Sequence, residues 1–193
     1  MKQLLEDLNN ILHSAEKTTA TPSRQALGLT SGAGKMIMET IKQCKPCNHE
    51  EVLASLVQCG IFSQTTRFNE KAIYTEYGVD YVPLGIEGEV MDKQALSLAI
   101  NELGKPIDKQ TFVQLYTKLK YSVIKRPEDY EDEKMRAVVY FDEMRKYPAY
   151  IAEYALSKPY KYFPSLYELR EEIDFAMKYW DFIKEKMNET PRG

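Results

Sequence analysis

The chain is 193 residues long, 44% hydrophobic and 28% charged, which supports a buried core and excludes wholesale disorder. Its formal net charge is -3, with 8 Lys/Arg against 11 Asp/Glu in residues 1–90 and 18 against 18 in residues 91–193. Neither half has the basic excess that phosphate contacts demand, so a protein that grips duplex DNA by itself is disfavoured. The three cysteines, Cys44, Cys47 and Cys59, are an odd, closely spaced set that does not read as a secreted disulfide framework.

Residues 1–16 begin with MKQLLEDLNNILHS, an amphipathic helical stripe in which Leu4, Leu5, Leu8, Ile11 and Leu12 recur at three- and four-residue spacing. Glu6 and Asp7 interrupt it, and no small-residue cleavage site follows, so it reads neither as a signal peptide nor as a membrane-surface helix. The five apolar residues either pack back on the chain's own bundle, since exposed apolar stripes are rare, or form the partner-binding face of a tethered helix, since such faces commonly dock in protein grooves. Residues 17–34, rich in Thr, Ser, Gly and Ala around Pro22, read as a linker. Residues 35–90 read as a small α+β region. It holds short helices over 35–44 and 49–59, then AIYTEYGVDYVPL as a β-hairpin, roughly the parts of a winged helix.

Residues 91–193 read as a helical bundle domain. DKQALSLAINEL stops at Gly104, and Asp108 is placed to cap a helix carrying Phe112, Leu115, Tyr116 and Leu119. A third helix, over 128–146, shows Met135, Val138, Val139 and Met144 and ends at Tyr147-Pro148, since the residue before a proline resists the α conformation. A short helix carries Ile151, Tyr154 and Ala155. The last one places Leu166, Leu169, Ile173, Ala176, Met177, Trp180, Ile183 and Met187 on one broad face, with Trp180 expected in the core. The expected fold is therefore mainly α: a C-terminal helical bundle, a small N-terminal α part with a β-hairpin, and a tethered N-terminal helix.

Few stretches suggest chemistry. CKPCNHEEVLASLVQC offers Cys44, Cys47, His49 and Cys59 as zinc ligands. His49 follows Cys47 too closely for the common patterns, and no second C-x-x-C is present. LTSGAGKM has part of a phosphate-binding loop, but Leu29 stands where the first glycine belongs and Met36 where the hydroxyl belongs. KYFPSLYELREE has capping-box spacing at Ser165 and Glu168 behind Pro164, a helix start with no nucleophile or metal ligand in it. No catalytic residue, cofactor or metal is expected. The absence of long apolar runs leads to the expectation of a cytoplasmic protein without membrane contact.

AVVYFDEMRKYPAYIAEYALSKPYKYFPSLYELREE, residues 137–172, resembles the pattern of small phage and prophage replication proteins, especially helicase loaders of Bacillus phages. The matching residues are Tyr140, Met144, Tyr147, Pro148, Ala155, Leu156, Phe163, Pro164, Ser165, Glu168 and Leu169. The resemblance spans roughly residues 92–180. It implies a small helical protein without an active site that binds a hexameric replicative helicase, or another replisome protein, and loads or inhibits it. Self-association and weak or indirect nucleic-acid contact are compatible with that reading. The chain differs from such loaders in its extra residues 1–90 and in ending soon after the last helix. The alternative is a winged-helix-type DNA-binding regulator, disfavoured because residues 35–85 have no basic excess.

Overall fold

In the computed structural model the described residues are 39–40, 46–76, 78–124 and 130–189. The expected N-terminal helix with Leu4, Leu5, Leu8, Ile11 and Leu12, the linker over 17–34 and the glycine-containing stretch LTSGAGKM all lie outside them, as does Cys44. Among the described residues the order is α1 (His49–Gln58), β1 (Arg67–Thr75), β2 (Gly78–Glu87), α2 (Lys93–Leu103), α3 (Lys109–Ser122), α4 (Tyr130–Met144), α5 (Ala149–Ser157) and α6 (Leu166–Asn188). This is the mainly α fold with one antiparallel hairpin that the sequence implies.

Four of the described helices, α1, α2, α3 and α6, start where a polar side chain satisfies one of their first free N–H groups, whereas α5 starts at Pro148 without a side-chain cap. Asn48 accepts from the N–H of Glu51 (2.8 Å), and Asp108 from that of Thr111 (2.9 Å). Asp92 does the same for Ala95 (2.8 Å). At the start of α6, the Ser165 hydroxyl accepts from the Glu168 N–H (3.3 Å) and the Glu168 carboxylate accepts from the Ser165 N–H (2.7 Å), a reciprocal capping box.

The chain divides into two compact units that do not follow one cut in the sequence. The sequence boundary between 90 and 91 falls inside one of them; the division runs through 103/104 and 171/172. The first unit holds α3, α4, α5 and the opening turns of α6. Its core is aromatic: Phe112 packs against Tyr116 and Phe141, and Tyr116 against Tyr140 and Phe163, with centroids 5.2–5.9 Å apart. Such offset and edge contacts add to the area each ring buries. The Tyr140 hydroxyl donates to the Pro164 carbonyl (2.6 Å), which ties α4 to the segment leading into α6.

The second unit holds α1, the hairpin, α2 and the rest of α6. Val52, Leu53 and Leu56 of α1, Ile61 and Phe62 beyond it, and Leu96 and Ala99 of α2 are buried there, with Ile173, Ala176, Tyr179, Trp180 and Ile183 of α6. Trp180 is thus in a core, as its place on the apolar stripe implies. Gly88, just after β2, has φ +122, and a Cβ there would strike the Thr66 backbone, so only glycine lets the chain pass.

The helix start at Ser165 yields a stability expectation. Ser165→Ala removes one half of the capping box and should cost about 1 kcal/mol, read as a lower denaturant midpoint with unchanged slope.

Candidate interaction surfaces

Of the residues that the sequence offers as zinc ligands, Cys47, His49 and Cys59 are among those described, and each has contacts of another kind. The Cys47 thiol donates to the Glu51 carboxylate (3.1 Å), which also accepts from the Cys47 N–H (2.9 Å). Those two hydrogen bonds hold the Glu51 carboxyl below its ordinary value. The His49 ring stacks on Tyr179, with centroids 3.6 Å apart and planes at 18°, and meets Phe68 and Phe175 edge-on. The N–H of Cys59 closes the end of α1 on the Ser55 carbonyl (3.0 Å). Among the described residues no three His, Cys, Asp or Glu side chains are arranged to hold a metal ion. No helix among them is long and apolar enough to cross a membrane.

The hairpin is half covered and half bare. Its register pairs Phe68 with Ile86, Glu70 with Pro83, Ala72 with Tyr81 and Tyr74 with Val79, so these eight residues share one face. At the base that face is core: Phe68 meets Tyr179 edge-on (4.8 Å), Pro83 and Ile86 are buried, and the Tyr179 hydroxyl donates to Glu70 (2.6 Å). Toward the tip the same face continues with no helix over it among the described residues. Ala72 and Val79 are exposed, Tyr81 is 54% exposed and Tyr74 83%.

In the first unit, α4 carries two apolar stripes. The sequence stripe of Met135, Val138, Val139 and Met144 is only partly the buried one. The core takes Ala137, Tyr140, Phe141 and Met144, while Met135 (65% exposed) and Val139 (49%) face outward one turn apart. Beside that face a buried carboxylate joins α4 to the start of α6. Glu143, 6% exposed, accepts from Arg170 (3.0 Å), Lys146 (2.7 Å) and the Tyr147 hydroxyl (3.1 Å). The Arg170 guanidinium, then Lys146 and Tyr147, hold its carboxyl down to about 2 against the opposing effect of burial. On the opening turn of α6 Tyr167 is exposed, and hydrogen bonding to Glu171 raises its pKa.

The residues that carry the resemblance come together as one scaffold inside the first unit. Tyr140 and Phe163 are in ring contact (5.6 Å), and Met144, Ala155, Leu156 and Leu169 are buried. The sequence does not single out Glu143; it does single out Met135 and Val139, together with Val138 and Met144, as the apolar residues of this helix. The i,i+4 pair Glu143–Tyr147 was a legible signal, but Arg170 lies 27 residues away and no local pattern points to it. No family model matches the chain, and neither curated proteins nor solved structures give a match.

Glu143→Ala leaves Arg170 without its carboxylate inside the α4–α6 junction. The expected cost is about 3 kcal/mol, toward the lower end for a broken buried pair because Arg170 and Lys146 are half exposed. Because the folded carboxyl titrates below its ordinary 4.5, the contribution is full above about pH 4.5 and fades as pH falls toward 2. Denaturant unfolding of both proteins across that range should therefore show their difference shrinking in acid.

Proposed function

We propose that this chain is a non-enzymatic adaptor of DNA replication, acting in the cytoplasm, that binds a hexameric replicative helicase and loads or inhibits it. The observation that supports a binding role is the uncovered face of α4, where Met135 and Val139 stand outward one turn apart. Exposed apolar residues on a helix that already has a full core face are what a docking helix needs. The choice of a helicase as partner is supported by the resemblance over residues 137–172 alone. Under this reading the amphipathic stretch with Leu4, Leu5, Leu8, Ile11 and Leu12 is a second docking element.

The winged-helix alternative draws on α1 followed by a long hairpin. The charge of that hairpin weighs against it: Arg67 is paired with Glu87 (3.0 Å), which leaves Lys71 against Glu70, Glu76 and Asp80. A wing that tracks phosphates needs the opposite balance.

The reading is tested by titrating the full chain against the hexameric replicative helicase of its source organism by calorimetry. Binding should occur. The double variant Met135→Asp/Val139→Asp should weaken it at least about tenfold, as loss of interface anchors does, with the melting curve unchanged. No heat and no co-elution with the helicase would sink the helicase reading; full affinity in the double variant would remove α4 from the interface.

A further inference from the structure

We infer that the hairpin is a self-association element: β1 of one copy pairs antiparallel with β1 of a second copy, centred on Ala72, to make a four-stranded sheet in the order β2-β1-β1-β2. The inference stands on the second unit only and is independent of the helicase reading.

The two edges of the hairpin differ. β2 is blunted by Pro83 and by a bulge that leaves Leu84 without a partner between Asn69–Gly85 and Glu70–Pro83. Proline and bulges are the usual devices that keep an edge from pairing. β1, RFNEKAIYT, has neither. Among the described residues, no backbone hydrogen bond reaches it from outside the hairpin. Pro83 has no N–H to give, so Glu70–Pro83 is a pair without mutual hydrogen bonds. By the alternation of an antiparallel ladder, the N–H and C=O groups of Glu70, Ala72 and Tyr74 then point away from β2. This is an open edge whose outward groups belong to the residues of the apolar face.

Charge selects the occupant and the register. Three residue-centred registers pair at least seven residues of β1 with a second β1, those centred on Glu70, Lys71 and Ala72. The first sets Glu70 against Glu70, and the second Lys71 against Lys71; like charges directly opposite are destabilising. The third pairs Asn69 with Thr75, Glu70 with Tyr74, Lys71 with Ile73 and Ala72 with itself, so no like charges stand directly opposite and the two Lys71 are only diagonal neighbours. Geometry agrees. A two-fold axis normal to the sheet keeps both apolar faces on one side and sets the bare tip of each hairpin beside the covered base of the other. Tyr74 then lies next to the other copy's Glu70, which the Tyr179 hydroxyl already holds (2.6 Å). A two-stranded ribbon that outruns its helices is only marginally stable, and four strands under two sets of helices remedy that.

The test uses charge reversal at the axis. Sedimentation equilibrium of the full chain should show a monomer–dimer equilibrium, and amide exchange at Glu70, Ala72 and Tyr74 should slow as concentration rises. Ala72 is exposed, so Ala72→Lys and Ala72→Glu should both fold. Each alone should raise the dimer dissociation constant roughly fivefold or more, because like charges then face each other. An equimolar mixture should restore association as a heterodimer. A wild-type monomer up to the solubility limit overturns the inference. So does a dimer that both variants leave intact, or a mixture that associates no better than either variant by itself.

Discussion

The apolar face of α6 is the constraint on which the described fold turns. Its 23 residues present Leu169, Ile173, Ala176, Trp180 and Ile183 in succession, a stripe too apolar to stay in water. Leu169 is covered in the unit built from α3, α4 and α5, and the others in the unit built from α1, the hairpin and α2. What sets this helix in place is its start. Pro164 turns the chain, Ser165 and Glu168 close the first turn, and Tyr140 holds the Pro164 carbonyl from α4. A stretch that looks at first like a candidate site is therefore the fixture that phases the stripe against its neighbours.

The hairpin shows the complementary situation, a face that is apolar except at Glu70 but covered along only half its length. Phe68 packs in the aromatic group around Tyr179 and His49, and Pro83 and Ile86 are buried. Tyr74, Val79 and Tyr81 continue the same alternation into solvent. An apolar face that outlasts its own core usually marks contact with another surface. The reactive-looking residues of the chain follow the opposite course. His49 is sandwiched among rings and Cys47 is bonded to Glu51 within one turn, so their chemistry is absorbed by local structure.

Much of this was legible in the sequence, and the rest was hidden for identifiable reasons. Caps are local, so Asn48, Asp108 and the Ser165–Glu168 box could be read from spacing alone. The α6 stripe could be read because its far face is uniformly polar. The burial of α4 could not: Met135, Val138 and Val139 compete with Ala137, Tyr140 and Phe141, and both sets satisfy helical spacing. Only tertiary packing against Phe112 and Phe163 selects the second. The unit boundaries were hidden because α2 reads as one more helix of a bundle, although it packs with the hairpin unit. Glu143 was hidden because an isolated glutamate in a helix looks like a solvated one until Arg170 arrives from 27 residues away.

The two outward surfaces differ in kind, and that difference bears on how they could work in one protein. The α4 face is side-chain apolar area on a helix whose interior backbone groups bond within the helix, so any docking there, as proposed, would depend on the shape of the groove it meets. The edge of β1 is backbone, and it offers the same donors and acceptors to any strand; selectivity there has to come from the flanking side chains. Glu70 and Lys71, adjacent and opposite in sign, supply it by penalising two of the three long registers. The surface with generic chemistry thus carries the stricter register rule, and the surface with specific shape carries no charge of its own at Met135 and Val139. A surface that recognises a copy of itself can afford a rule written in its own sequence. A surface for a different protein has to leave that rule to the partner.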